Sequence, residues 1–147
     1  MTKHYEHTQI GYLIITALSI TLFFIVYLMV TLGFNWTAIM VLIILGVSLK
    51  SFATLKTIIE DDVLELRFGL GIIRKKFFLK DIESYQIVKN PWYYGWGIHI
   101  TPQGWLYNVS GPYAVKINMK TGKKYMIGTD VPNELANAIK KSIETIS

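Results

Sequence analysis

Ile10–Leu32, reading IGYLIITALSITLFFIVYLMVTL, decides the architecture of this chain. It carries no charged side chain, and as a helix rising 1.5 Å per residue it reaches about 34 Å, against a hydrocarbon core of about 30 Å. Gly33-Phe34-Asn35 breaks the run, and Trp36 opens a second one, WTAIMVLIILGVSL, which ends at Lys50. Alone, the second run gives about 21 Å. Carried on through Ser51–Leu55 it gives about 30 Å, with Lys50 turning its amine outward at the interface. Both runs are apolar on every face, which suits lipid better than the one-sided core of a soluble helical hairpin. A cleaved signal sequence fits poorly, because the first run is too long and no clear small-residue cleavage site precedes the second.

The charges that flank these runs orient them. Asp, Glu, Lys and Arg are absent between His7 and Leu49, while Lys3 precedes the first run and Lys50 and Lys56 follow the second. The positive-inside rule then places both termini in the cytoplasm and only the Gly33–Asn35 turn outside, with Tyr12, Phe34 and Trp36 near the two interfaces. The organisation expected is a cytoplasmic segment over 1–9, a transmembrane helical hairpin over 10–55 and a cytoplasmic domain over 56–147, in a multi-pass protein of the cell membrane.

Composition agrees with this division. Of 147 residues, 52% are hydrophobic, and the mean hydropathy is +0.36. The net charge of +5 is better explained by attraction to anionic lipid than by nucleic acid. The chain has no cysteine, which excludes disulfides, thiolate metal sites and cysteine nucleophiles.

From Lys56 the pattern changes to short strands. Thr57–Ile59 ends at the acidic turn Glu60-Asp61-Asp62, and Val63–Phe68 alternates with Leu64, Leu66 and Phe68 on one face. Gly69-Leu70-Gly71 turns the chain into Ile72–Leu79, its hairpin partner. Strands follow near Ile82–Val88, Tyr113–Met119 and Lys123–Ile127. Asp130, Pro132 and Glu134 then mark a helix start, and Leu135, Ile139, Ile143 and Ile146 recur at helical spacing. The fold class expected is α+β: the helical hairpin, then a curved antiparallel sheet or barrel of about seven strands capped by one C-terminal helix.

About seven strands and a last helix resemble a pleckstrin-homology (PH) fold. The segments Lys80-Asp81-Ile82, Lys89-Asn90-Pro91, Gly95-Trp96-Gly97-Ile98, Tyr107-Asn108-Val109-Ser110-Gly111 and Gly128-Thr129-Asp130 are similar to those of bacterial PH-like membrane proteins, which carry a transmembrane pair before the domain. The resemblance implies binding or assembly at the membrane. Lipid-binding members of the fold grip phosphoinositides with cations around the first strand-to-strand loop. Here that loop is Glu60-Asp61-Asp62, so that mode is not carried over.

Two surfaces stand out. Arg74, Lys75 and Lys76 with Lys80 form the densest basic patch, read either as a contact to an anionic leaflet or as lysines that protect a sheet edge from aggregation. Trp92, Tyr93 and Tyr94 flank Pro91 and are the candidates for an interfacial or partner contact, whereas Tyr107 and Tyr113 lie in strand-like alternation and read as core. Neither Gly69-Leu70-Gly71 nor Gly95-Trp96-Gly97 has the context of a phosphate loop. His4 and His7 read as part of a flexible N-terminus, and with His99 they form no metal set. No Ser, Asp or Glu has an evident base partner. The sequence thus points to a non-enzymatic interaction module without cofactor, metal or nucleic acid, with anionic lipid, a membrane-protein partner or a second copy as occupant. The competing expectation is an accessory subunit or small enzyme with a pocket assembled only in the fold.

Overall fold

The computed structural model describes residues 3–147. Its first helix, α1 (Tyr12–Leu32), has no buried residue, and its second, α2 (Trp36–Phe52), buries only Ser51. Asn35 starts α2 by accepting from the backbone N–H of Thr37 at 2.7 Å and of Ala38 at 3.3 Å, so the break lies where the sequence places it. Among the described residues one helix, α1, is long and apolar enough to cross a membrane, and α2 is a shorter apolar helix of 17 residues.

Strands enclose this helix pair on both sides. β1 (Lys3–Ile10) precedes α1 and pairs antiparallel with β2 (Thr54–Glu60), which follows α2, and Ile10 lies opposite Thr54. The Gly11 N–H donates to the Ala53 carbonyl at 2.7 Å, so the ladder continues to the foot of the helices. Strand pair and helix pair form one long antiparallel hairpin. The N-terminal segment is therefore an edge strand and not the flexible tail its polar composition suggests. Its more buried positions, Tyr5, His7 and Gln9, alternate with exposed ones, and the edge of β2 gives its backbone a partner. The Tyr5 hydroxyl is closed off from water, and burial, then Glu134 and Asp130, push its pKa up to about 12.

β3 (Val63–Phe68) and β4 (Ile73–Phe78) complete a first sheet in the order β1-β2-β3-β4. The second sheet holds β5 (Ile82–Lys89), β6 (Gly97–Thr101), β7 (Gly104–Asn108), β8 (Tyr113–Met119) and β9 (Lys124–Gly128), in the order β5-β8-β9-β7-β6. β7 runs parallel to β9, and the other pairs are antiparallel. Two expectations are corrected here: the described residues form nine strands where about seven were expected, and they form two open sheets and no closed barrel. The physical reason is the single turn of 3-10 helix at Leu79–Asp81, which carries the chain from β4 into the other sheet before the two can pair.

The core lies between the sheets. Leu64, Leu66 and Phe68 from the first meet Val115, Ile117 and Ile127 from the second, and Leu135 and Ile139 of α3 (Pro132–Ile146) close one side. Gly128 lets the second sheet close up, since a Cβ there would run into the Asn108 carboxamide. Asp130 does not cap α3. Val131 occupies the cap position, and Asp130 instead meets His7 of β1 at 2.6 Å, tying the first strand to the approach to the last helix.

Candidate functional site

Cross-strand register gathers cations near the helix-proximal end of the first sheet. Thr8 lies opposite Lys56, Lys56 opposite Arg67, and Arg67 opposite Arg74, so the three cations form one row across β2, β3 and β4. Lys56 is two residues from the start of β2, or about 7 Å along the strand. Each cation is held. Lys56 Nζ sits 2.7 Å from Glu6, Arg67 grips Glu65 with two hydrogen bonds of 2.8 and 3.1 Å, and Arg74 Nε donates to the Gly71 carbonyl at 2.7 Å. The Arg67 hydrogen bonds hold the Glu65 carboxyl below its ordinary range, against the opposing effect of its own burial.

The β3–β4 turn lies at this same end. The Gly69 N–H donates to the Thr54 carbonyl at 2.9 Å. Gly69 has φ +57°, and a Cβ there would strike the Lys50 carbonyl at the end of α2, so both its backbone angle and its packing require glycine. The turn projects Leu70 and Ile72, which are 76% and 69% exposed. Two bare apolar side chains thus sit beside the cation row, next to the helices.

The basic patch read from the sequence is divided by the fold. Arg74 joins the row. Lys75 points the other way: it lies opposite the buried Leu66, with its amine 5.8 Å from the Phe77 ring and 5.5 Å from the Tyr125 ring. Lys76 faces outward opposite Glu65, farther from the helices, and Lys80 lies beyond the far end of β4, over the Phe78 ring at 5.7 Å. Successive residues of a strand face opposite sides, so four cations close in sequence do not make one surface. Lys56, read from the sequence only as a flanking cation, and Arg67, which received no role there, belong to the row because register brings them there.

The aromatic segment forms a turn of 3-10 helix at Trp92–Tyr94. Trp92 and Tyr93 are 83% and 69% exposed, whereas Tyr94 is half-buried against Leu106, Ala114 and Met126. Neighbouring rings meet edge to face, Trp92 with Tyr93 at 6.1 Å and Tyr93 with Tyr94 at 5.3 Å. Tyr107 is buried, as alternation predicts, and burial raises its pKa. Tyr113, expected in the core, begins β8 in an exposed position.

This segment stands beside the first turns of α1. A groove of about 450 Å³ runs between Leu13 of α1 and Pro91, Trp92, Trp96 and Pro112, with Asn90 in its wall. A second groove, of about 460 Å³, shares Leu13 and Trp96 and continues along Ile14, Ala17 and Leu18. His99 bonds the Trp96 carbonyl, and His7 is engaged with Asp130. No group of three His, Asp or Glu among the described residues is placed to hold a metal ion.

These features define an α+β domain whose helix-proximal end is rich in exposed apolar and cationic groups. No protein-family model matches the chain, and no curated protein matches it.

Proposed function

We propose that this is a two-pass membrane protein whose PH-like domain is held against the anionic cytoplasmic leaflet and acts as a binding module, without catalysis. One observation carries the proposal. The β1–β2 ladder runs directly into α1 and α2, so the end of the domain that bears Leu70, Ile72 and the Lys56–Arg67–Arg74 row is the end the helices leave from.

With α1 and α2 in a bilayer, that end meets the headgroup layer, about 5–7 Å deep on each side of the hydrocarbon. A row about 7 Å from the strand ends, on side chains as long as Lys and Arg, reaches the phosphates. Each cation near an anionic surface contributes about 1 kcal/mol, with Glu6 and Glu65 offsetting part of it. Leu70 and Ile72 add about 1.5–3 kcal/mol each when fully buried.

Support for a PH-like domain comes from counting elements. With the β6–β7 hairpin set aside as an insertion between β5 and β8, seven strands and one C-terminal helix remain, and the helical hairpin becomes an insertion between β1 and β2.

The test places nitroxide probes at Leu70→Cys, Trp92→Cys and, at the far end, Lys123→Cys, in full-length protein reconstituted into vesicles with anionic lipid. Oxygen should relax the first two most strongly, and an aqueous nickel chelate the third. Nickel-dominated relaxation at all three would show a domain standing clear of the bilayer, and a protein partner or second copy would then be its target.

A further inference from the structure

The two grooves beside α1 share Leu13 and Trp96 but differ in chemistry along their length. Toward the helix tip the walls are mainly apolar, with Ile14, Ala17, Leu18, Phe52 and Ile98, and the one imidazole among them, His99, has a ring nitrogen engaged by the Trp96 carbonyl. Toward the domain the wall includes Lys89 and Asn90. Asn90 is 6% exposed, and neither its carboxamide oxygen nor its nitrogen has a hydrogen-bond partner among the described residues. Buried amides are ordinarily paired, because an unpaired one forfeits its hydration with no return. An unpaired amide just beneath the wall of a groove that also carries a cation and leads into an apolar channel matches an amphiphile with one polar and one hydrocarbon end, whose polar atoms would reach the amide through a small shift of that wall.

We propose that this double groove holds one phospholipid molecule of the bilayer. Its acyl chain lies along Leu13–Leu18, its ester and glycerol region meets the Asn90 carboxamide, and its phosphate faces Lys89. The inference rests on the membrane placement proposed above and names the ligand of that surface. Orientation supports a bilayer lipid: Leu13–Leu18 climb α1 away from the domain, so the hydrocarbon end points into the membrane and the polar end toward its surface. Trp96, which lines both grooves, stands at the boundary between the two, a position that aromatic side chains favour at a bilayer interface.

The experiment uses full-length protein in lipid nanodiscs containing phosphatidylglycerol with a photoreactive diazirine on one acyl chain. After irradiation, labelled positions are mapped. Residues 13–18 and 96–99 should be enriched about tenfold over residues 20–30 of α1, which meet ordinary bilayer lipid. Even labelling along α1 would overturn the site. Asn90→Leu keeps size and removes the amide, so it should lower groove labelling about five- to tenfold, by the strength of one hydrogen bond, while the melting temperature holds or rises. Unchanged labelling in that variant would overturn the assignment to Asn90. Should Asn90→Leu fail to fold, Lys89→Gln at an exposed position reports on the same polar end, and unchanged labelling there would overturn the phosphate contact. Equal labelling by a diazirine detergent without ester or phosphate would overturn the choice of a phospholipid. Alkaline carbonate extraction separates the two levels: release of the protein refutes the membrane placement itself, whereas retention with even labelling refutes the lipid site alone.

Discussion

Helices α1 and α3 both draw on Leu and Ile, but they distribute them differently. In α3 the apolar residues recur on one side, so Leu135 and Ile139 are buried while Lys140, Lys141 and Glu144 face water. In α1 they occupy every side, and none of its 21 residues is buried. A helix with one apolar face finds its partner within its own chain. A helix apolar all round leaves most of its surface uncovered by the domain, which is consistent with membrane association.

The largest effect that sharpens this contrast is at α3. Leu135→Ala should destabilise the domain by about 2–5 kcal/mol, seen as a lowered denaturation midpoint, with membrane retention unchanged. Unaltered stability would mean that the α3 face is not a core face. A cation in α1 should do the reverse. Phe24→Arg should cost about 2.5–3.5 kcal/mol of insertion, read as protein released by alkaline carbonate. Asn137→Arg on the outer side of α3 should stay within about 0.5 kcal/mol of the parent.

Removing the hairpin altogether tests whether the two regions are separable. Gly11 and Ala53 face each other at the foot of the helices, so replacing residues 12–52 with Asn-Gly should close β1 onto β2 as a tight turn. The product should be soluble and unfold in one cooperative transition. A fragment beginning at Lys56 lacks β1 and part of β2, and it should be markedly less stable. Equal stability of the two would show that β1 contributes little.

A modest effect concerns the cation row. Glu65→Gln should cost about 1 kcal/mol at neutral pH, since Arg67 is partly exposed and its pair is partly screened. The Glu65 carboxyl is held below its ordinary value in the folded state, so its contribution is present above the unfolded pKa of about 4.3. It is lost as pH falls through the depressed folded value. The difference between variant and parent should therefore shrink in acid. A difference that persists there would assign it to packing.

The sequence announces those elements whose pattern is strongly periodic. Val63–Phe68 and Tyr113–Met119 alternate cleanly and are strands with those bounds, and the α3 face is readable from Leu135 and Ile139. β1 is missed because its alternation runs through Tyr, His and Gln, and only the register with β2 reveals it. β6 is missed because Gly95 and Gly97 beside three aromatics look like a loop, and β7 is only half visible in the spacing of Trp105 and Tyr107. The candidate site was legible as composition and not as a surface. Of the aromatic candidates Trp92 and Tyr93 are exposed and Tyr94 is half-buried, the basic run divides between two faces of β4, and the row that replaces it is assembled by pairing across three strands.

Whether α1 and α2 cross a bilayer, with the domain and both termini on one side, is open to a direct measurement. The chain has no cysteine, so Phe34→Cys in the inter-helix turn and Ser147→Cys at the C-terminus each introduce a single thiol. A membrane-impermeant maleimide applied to intact cells should label position 34 readily and position 147 only after the cells are opened. Labelling of position 147 in intact cells, or protection of both thiols until lysis, would contradict a cytoplasmic domain carried on a two-pass hairpin.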